Sequence, residues 1–263
     1  MSRRLIPTIL RFDSLPSTNT EAAREAALGA PEGLCVVARE QTAGRGRQQR
    51  AWVSPMDAGL YFSVVLRPRF DARTWPLITL AAALAASDAI REACALETDI
   101  KWPNDLLAGG RKLCGILAET CETMAGRAVV LGIGINLSNR AFPPEILDTA
   151  TSVAEQTGCE TDAEKLLAAL TRSLARRYET LDTADGASRI INEWESRSTF
   201  ARARRVRVSL EGETFEGTTR GLEPDGALRV ETDAREIRIV RAGDVVVVRS
   251  VKGDDESAKR TEE

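Results

Sequence analysis

Apolar and polar residues alternate with a period of two in several short runs of this chain and with a helical period in others. Residues 9–13 read as a first strand, with Ser14-Leu15-Pro16-Ser17 as the loop after it. Ser17 or Thr18 is suited to cap a helix running to about Leu28, with Glu21 and Glu25 in its early turns and Gly29 as its stop. Residues 34–39 and 60–66 read as strands, the second ended by Pro68, and 75–96 as a long alanine-rich helix lying on the sheet. Residues 101–119, KWPNDLLAGGRKLCGILAE, predict a strand entering a turn at Pro103, a Gly109-Gly110 hairpin and a second strand from about Lys112. Strict alternation there puts Lys112, Cys114, Ile116 and Ala118 on one face, and Leu113, Gly115, Leu117 and Glu119 on the other.

Residues 128–137 predict a strand with two unlike faces: Leu131, Ile133, Ile135 and Leu137 against Val130, Gly132, Gly134 and Asn136. A face stripped of side chains and ended by an amide implies that a ligand, another backbone or a packed helix comes close. Helical patterns follow at 162–183 and 187–198, with Trp194 facing inward. Beyond Arg204 the pattern shortens to alternating runs at 206–210, 214–220, 227–231, 236–240 and 245–249, separated by Gly- and Pro-containing turns. This predicts a small β-barrel-like domain of roughly fifty residues. The basic cluster Arg202, Arg204, Arg205 and Arg207 reads as a solvated edge strand at its start. The expected organisation is a large domain over 1–200, the small barrel over 201–250, and a disordered charged tail over 251–263.

Composition narrows the chemistry. The chain has 263 residues, 43% of them hydrophobic and 29% charged, with a net charge of only -3, which argues against a general nucleic-acid coat. The five cysteines contain no C-x-x-C pair and read as reduced core residues rather than a disulfide framework or zinc site. No histidine is present, which excludes Ser-His-Asp, Cys-His and His-metal chemistry and leaves Lys, Arg, Asp and Glu. The N-terminal apolar run is too short for a signal peptide and the run at 77–86 too short for a membrane span, so a cytoplasmic location is expected.

Residues 40–52, EQTAGRGRQQRAW, place two glycines and three arginines in one loop. Arginine forks match carboxylate or phosphate oxygens, and three cations this close repel one another unless something anionic lies between them. A surface loop paired with acidic neighbours such as Asp57 is the plainer alternative. The run Gly-Ile-Gly-Ile-Asn at 132–136 is not a dinucleotide fingerprint, since it has no third glycine and no strand-to-helix turn.

Ser-Thr-Asn at 17–19, GRGRQQRAW at 44–52, KWPND at 101–105, GRKLCGILAE at 110–119 and GIGINL at 132–137 together resemble a biotin–protein ligase, in order and over nearly the whole chain. The resemblance implies an α+β fold: a mixed, largely antiparallel sheet with packed helices, like class II aminoacyl-tRNA synthetases, plus a small C-terminal SH3-like β-barrel. It implies that biotin's carboxylate attacks the α-phosphate of ATP, with Mg²⁺, to give biotinyl-5'-AMP and pyrophosphate. A lysine of a biotin carboxyl carrier protein, such as an acetyl-CoA carboxylase subunit, then takes the biotinyl group. By the same resemblance Ser17, Thr18, Asn19, Gln41, Gly44, Arg45, Gly46, Lys112 and Gly115 would line the biotin site, with Arg45 and Gly46 closing over the product. Arg47, Arg50, Trp52, Lys101, Asn104, Lys112 and Asn136 would meet the nucleotide. Lys112, Asp105 and Arg45 would carry the catalysis, Lys112 bridging the biotin carboxylate and α-phosphate and Asp105 assisting the acceptor amine; metal ligands are not assigned. Ser17 lies too near the start for the N-terminal helix-turn-helix of some relatives, so a short form without DNA binding is expected; no membrane association is implied and a homodimer stays open. A lipoate–protein ligase of the same fold and a non-catalytic nucleic-acid-binding module are the rival readings.

Overall fold

The computed structural model describes residues 5–248, so the expected tail over 251–263 lies outside the described residues. Strand β1 (Thr8–Leu15) leads into helix α1 (Thr18–Ala27), then β2 (Leu34–Gln41), β3 (Gly59–Leu66) and helix α2 (Leu77–Cys94). The KWPND region makes two short strands, β4 (Asp99–Lys101) and β5 (Asp105–Ala108), with a cis Trp102–Pro103 peptide between them, before β6 (Arg111–Thr123) and β7 (Gly126–Asn136). Helices α3 (Val153–Thr157), α4 (Ala163–Leu181) and α5 (Gly186–Arg197) follow. The chain then forms β8 (Arg202–Leu210), β9 (Glu213–Leu222), β10 (Leu228–Thr232), β11 (Ile237–Val240) and β12 (Asp244–Val247).

The first sheet has seven strands in the order β1-β2-β3-β7-β6-β5-β4, antiparallel throughout except for β1, which runs parallel to β2. Its two faces differ because strand alternation sorts the side chains. Leu60, Phe62, Val64, Leu131, Ile133 and Ile135 are buried in one cluster with the alanine-rich α2, α4 and α5. Small side chains on α2 let its backbone approach the strands closely, and α2 buries all of residues 80–86. The other face takes α1, where Ala22 and Ala26 pack with Leu34, Val36, Val65 and Val130.

The C-terminal strands form a second, antiparallel sheet in the order β11-β10-β9-β8-β12. The basic cluster therefore does not form an edge: β8 lies between β9 and β12. Its arginines are neutralised locally, Arg202 by Glu195 at 2.7 Å and Arg207 by Glu216 at 2.8 Å, while Arg204 stacks 5.6 Å from the Phe200 ring. Val206, Val208, Leu228 and Val230 join the same apolar cluster as α2, and Trp102 Nε1 donates to Gly226 O at 3.0 Å. All five cysteines are free; Cys35 and Cys114 are buried, but Cys159 is exposed, unlike the core position expected of it, because it follows α3 in a surface turn.

Candidate active site

Lys112 does not share a face with Cys114 and Ile116 as strict alternation requires. The β5–β6 register slips between Leu106 and Leu107, so that Leu106 faces Cys114 while Leu107 faces Lys112. A bulge of this kind inserts one extra residue and reverses the side-chain parity beyond it. Leu113, Cys114 and Ile116 fall in the core, and the Lys112 ammonium turns to the side of Gly115, where a side-chain carbon would sit 3.4 Å from Nζ. The backbone at Lys112 is clamped by segment 149–151: Lys112 N donates to Thr149 O at 2.8 Å and Thr151 N donates to Lys112 O at 2.9 Å.

Lys112 Nζ lies 2.7 Å from Asp105 Oδ1 and 5.3 Å from the centroid of the Trp52 ring. Asp105 sits on β5 opposite Gly115 of β6, and its buried Oδ1 has Lys112 as its ion-pair partner. Trp52 lies flat on the bare face of β6 and β7, where a Cβ on Gly134 would sit 2.5 Å from the indole Nε1. On Gly132 an added Cβ would overlap Asn19 Oδ1. The two glycines thus make room for one side chain of α1 and one from the arginine loop, and the cavity opens beside them.

The residues at the start of α1 expected to meet biotin form a buried polar chain. Ser17 begins the helix without a capping side-chain bond; instead Gln41 Oε1 accepts from Thr18 N at 2.9 Å, which leaves the Ser17 hydroxyl to the cavity. Ser63, a residue the sequence reading missed, lies 2.8 Å from Thr18 Oγ1 and donates to Asn19 Oδ1 at 2.6 Å. Gln41 Nε2 donates to Ser54 Oγ at 2.9 Å, another missed residue, which in turn holds Trp52 O at 3.0 Å. Gly44 alone among the expected residues does not line the cavity; Trp52 N donates to its carbonyl at 2.9 Å, and it lets the two legs of the loop touch.

The arginine loop is folded around carboxylates other than the one expected. Asp57 is taken by Arg39 at 2.6 Å, whereas Arg45 pairs with Glu119 at 2.8 Å and Arg50 pairs with Asp244 of the second sheet. Arg47 has no carboxylate partner among the described residues and donates to Asn104 Oδ1 at 3.3 Å. Burial lowers the pKa of the Arg47 guanidinium, and burial likewise lowers that of Lys101, which also has no ion-pair partner among the described residues. Two partly desolvated cations beside Lys112 make a site that favours a polyanion. Asn104 Nδ2 donates to Ile116 O at 2.8 Å and Asn136 Nδ2 to Thr151 O at 2.9 Å, so both amides also fix the walls.

The expected site residues other than Gly44 border one cavity of about 910 Å³, which Phe142, Ile146, Phe200, Arg207 and Asp244 complete. The last three come from the connection to the second sheet and the sheet itself, a contribution that no local motif marks. Among the described residues no group of three or more His, Cys, Asp or Glu could cage a metal ion, and both Asp105 and Asp244 are paired to cations.

Comparison with known proteins agrees with this geometry. The model of the biotin/lipoate A/B protein ligase family matches residues 11–136, and that of the biotin protein ligase C-terminal domain matches residues 204–248. The biotin–acetyl-CoA-carboxylase ligase of Mycobacterium tuberculosis is 35% identical over 239 residues, covering 89% of this chain and 86% of its own. The bifunctional ligase/repressor BirA of Bacillus subtilis is 39% identical over 232 residues, covering 86% of this chain and 70% of its own. Among solved structures, the biotin protein ligase from Aquifex aeolicus in complex with biotin and ATP superposes with a TM-score of 0.81 at 27% identity, covering 93% of this chain and 100% of that one. With both family models, relatives matched over most of their length, and a fold that assembles the shared motifs around one cavity, the chain belongs to the biotin protein ligase family.

Proposed function

We propose that this protein activates biotin with ATP to biotinyl-5'-AMP and transfers the biotinyl group to a lysine of a biotin carboxyl carrier protein. The observation that carries the reading is the grouping of Lys112, Lys101 and Arg47 around one cavity, two of them without a carboxylate partner among the described residues. A triphosphate supplies the negative charge that this arrangement favours. In the first step a biotin carboxylate oxygen bonds to the α-phosphorus as the bond to pyrophosphate breaks. Lys112, which borders the cavity beside Asp105, neutralises charge on both reacting groups. The remaining residues position, since neither nucleophile belongs to the enzyme. All of the following line the cavity, and in this reading Ser17, Thr18, Asn19, Gln41, Arg45, Gly46 and Gly115 serve biotin while Arg47, Arg50, Trp52, Lys101, Asn104 and Asn136 serve the nucleotide.

In the second step the acceptor amine attacks the acyl carbon and AMP leaves with the bonding pair. An amine titrating near 10.4 must lose a proton, and in this reading Asp105 orients it and accepts that proton. Residues 1–200 form the catalytic unit in this reading, and the second sheet closes its nucleotide end through Asp244 and Arg207. No helix among the described residues is long and apolar enough to cross a membrane. Exchange of labelled pyrophosphate into ATP tests the first step: dependence on biotin supports the reading, dependence on lipoate alone moves it to the sister activity, and exchange with neither overturns it. Transfer to a purified biotin carboxyl carrier domain tests the second.

A further inference from the structure

One carboxylate oxygen receives donors from both ends of the biotin-type pocket. Glu119 Oε2 accepts from Asn19 Nδ2 at 2.8 Å and from the Arg45 guanidinium at 2.8 Å. Asn19 is buried in the first turn of α1, and its Oδ1 is fixed by Ser63. Arg45 begins the loop whose other leg, Trp52, is held through Ser54 and Gln41 to Thr18. The polar chain from Trp52 to Arg45 therefore starts and ends on the arginine loop, and Glu119 is the link that returns it there.

We propose that Glu119 is a positioning residue that couples the biotin-lining end of α1 to closure of the arginine loop, a role resting on the ligase reading above. A ligand that draws the Asn19 amide toward itself withdraws one donor from Oε2. The full carboxylate charge then falls on Arg45, and a charge-assisted bond shortens and strengthens when it loses a competitor. Engagement of the biotin end thus tightens the loop that carries Arg45, Arg47 and Arg50, without any contact between Glu119 and the reacting atoms.

Two substitutions separate the two contacts. Glu119→Gln keeps an oxygen acceptor for Asn19 but removes the charge that holds Arg45; Glu119→Ala removes both. The readouts are the rate of tryptic cleavage at 45–50, with and without biotin plus ATP, and the KM for biotin in pyrophosphate exchange, with circular dichroism to verify folding. For Glu119→Gln, cleavage about tenfold faster than wild type with a KM within about twofold is expected, and for Glu119→Ala both quantities rise by about tenfold. Wild-type cleavage rates and wild-type KM in folded Glu119→Gln overturn the proposal. Should wild type show no biotin-dependent exchange, the ligase reading falls, and the ligand-free cleavage rates of wild type and Glu119→Gln still decide whether the tether exists.

Discussion

Lys112 and Asp105 meet as an ion pair at 2.7 Å across a bulged pair of strands, 34% and 19% exposed. The bulge turns the lysine out of the core and the cavity leaves it room to move, so one cation can serve first the carboxylate of its own chain and then that of a substrate. On the proposed reading, substituting Lys112→Ala removes the charge that meets both the biotin carboxylate and the α-phosphate. Biotin-dependent pyrophosphate exchange is expected to fall by about 10²–10³-fold with the fold intact. Asp105→Asn is expected to lower transfer to the carrier domain more than exchange, which comparison of the two half-reactions checks.

Adding one methyl group to the bare strand face separates the two ends of the site. Gly132→Ala places a carbon against Asn19 Oδ1, and Gly134→Ala places one 2.5 Å from Trp52 Nε1. Overpacking of this kind costs about 1–3 kcal/mol. Gly132→Ala is expected to raise the KM for biotin more than that for ATP, and Gly134→Ala the reverse. Thermal melts should show both variants folded.

Far from the cavity, Asp88 of α2 accepts from Arg177 of α4 at 2.7 Å and from Arg197 of α5 at 2.7 Å while only 8% exposed. Burial pushes its carboxyl pKa up, but the hydrogen bonds from the two arginines outweigh that and hold it below the ordinary value. The stability it supplies is full above the unfolded carboxylate pKa of about 3.9 and is lost as pH falls through the lower folded value. Asp88→Asn is expected to cost about 1–3 kcal/mol at pH 7, because Arg177 and Arg197 lose one carboxylate and keep only Glu193, with pyrophosphate exchange at 25 °C unchanged. Urea titrations at pH 7 and at successively lower pH check both statements, the gap between variant and wild type closing only as pH falls through the lowered folded pKa.

The thiols differ in exposure enough to be told apart by labelling. Burial pushes the Cys35 thiol up to about 12 and raises that of Cys114 as well, whereas Cys159 is exposed. Iodoacetamide at pH 8 is expected to modify Cys159 first and to leave Cys35 and Cys114 untouched until the chain unfolds. Peptide mass mapping over time reads the order.

Much of this protein was written in short-range pattern. Period-two alternation separated by glycine turns marked the C-terminal strands, alanine spacing marked α2, and Asp162 marked the start of α4, where it accepts from Glu164 N and Lys165 N. These features depend on dihedral preference and on which side of an element is apolar, and both are decided within a few residues. The glycine face at 132 and 134 announced a close approach, though not by what. Tertiary structure alone decided what lies on it. Asn19 and Trp52 reach those glycines from across the fold, Glu119 rather than Asp57 takes Arg45, and Asp244 takes Arg50 across 194 positions of chain. The side on which Lys112 emerges was also beyond local pattern, because a bulge depends on the register of the partner strand and one residue of slip reverses every side chain after it. Sequence determines periodicity and composition locally; the pairing of charges and the parity of strands are properties of closure in three dimensions, and those are what make the site.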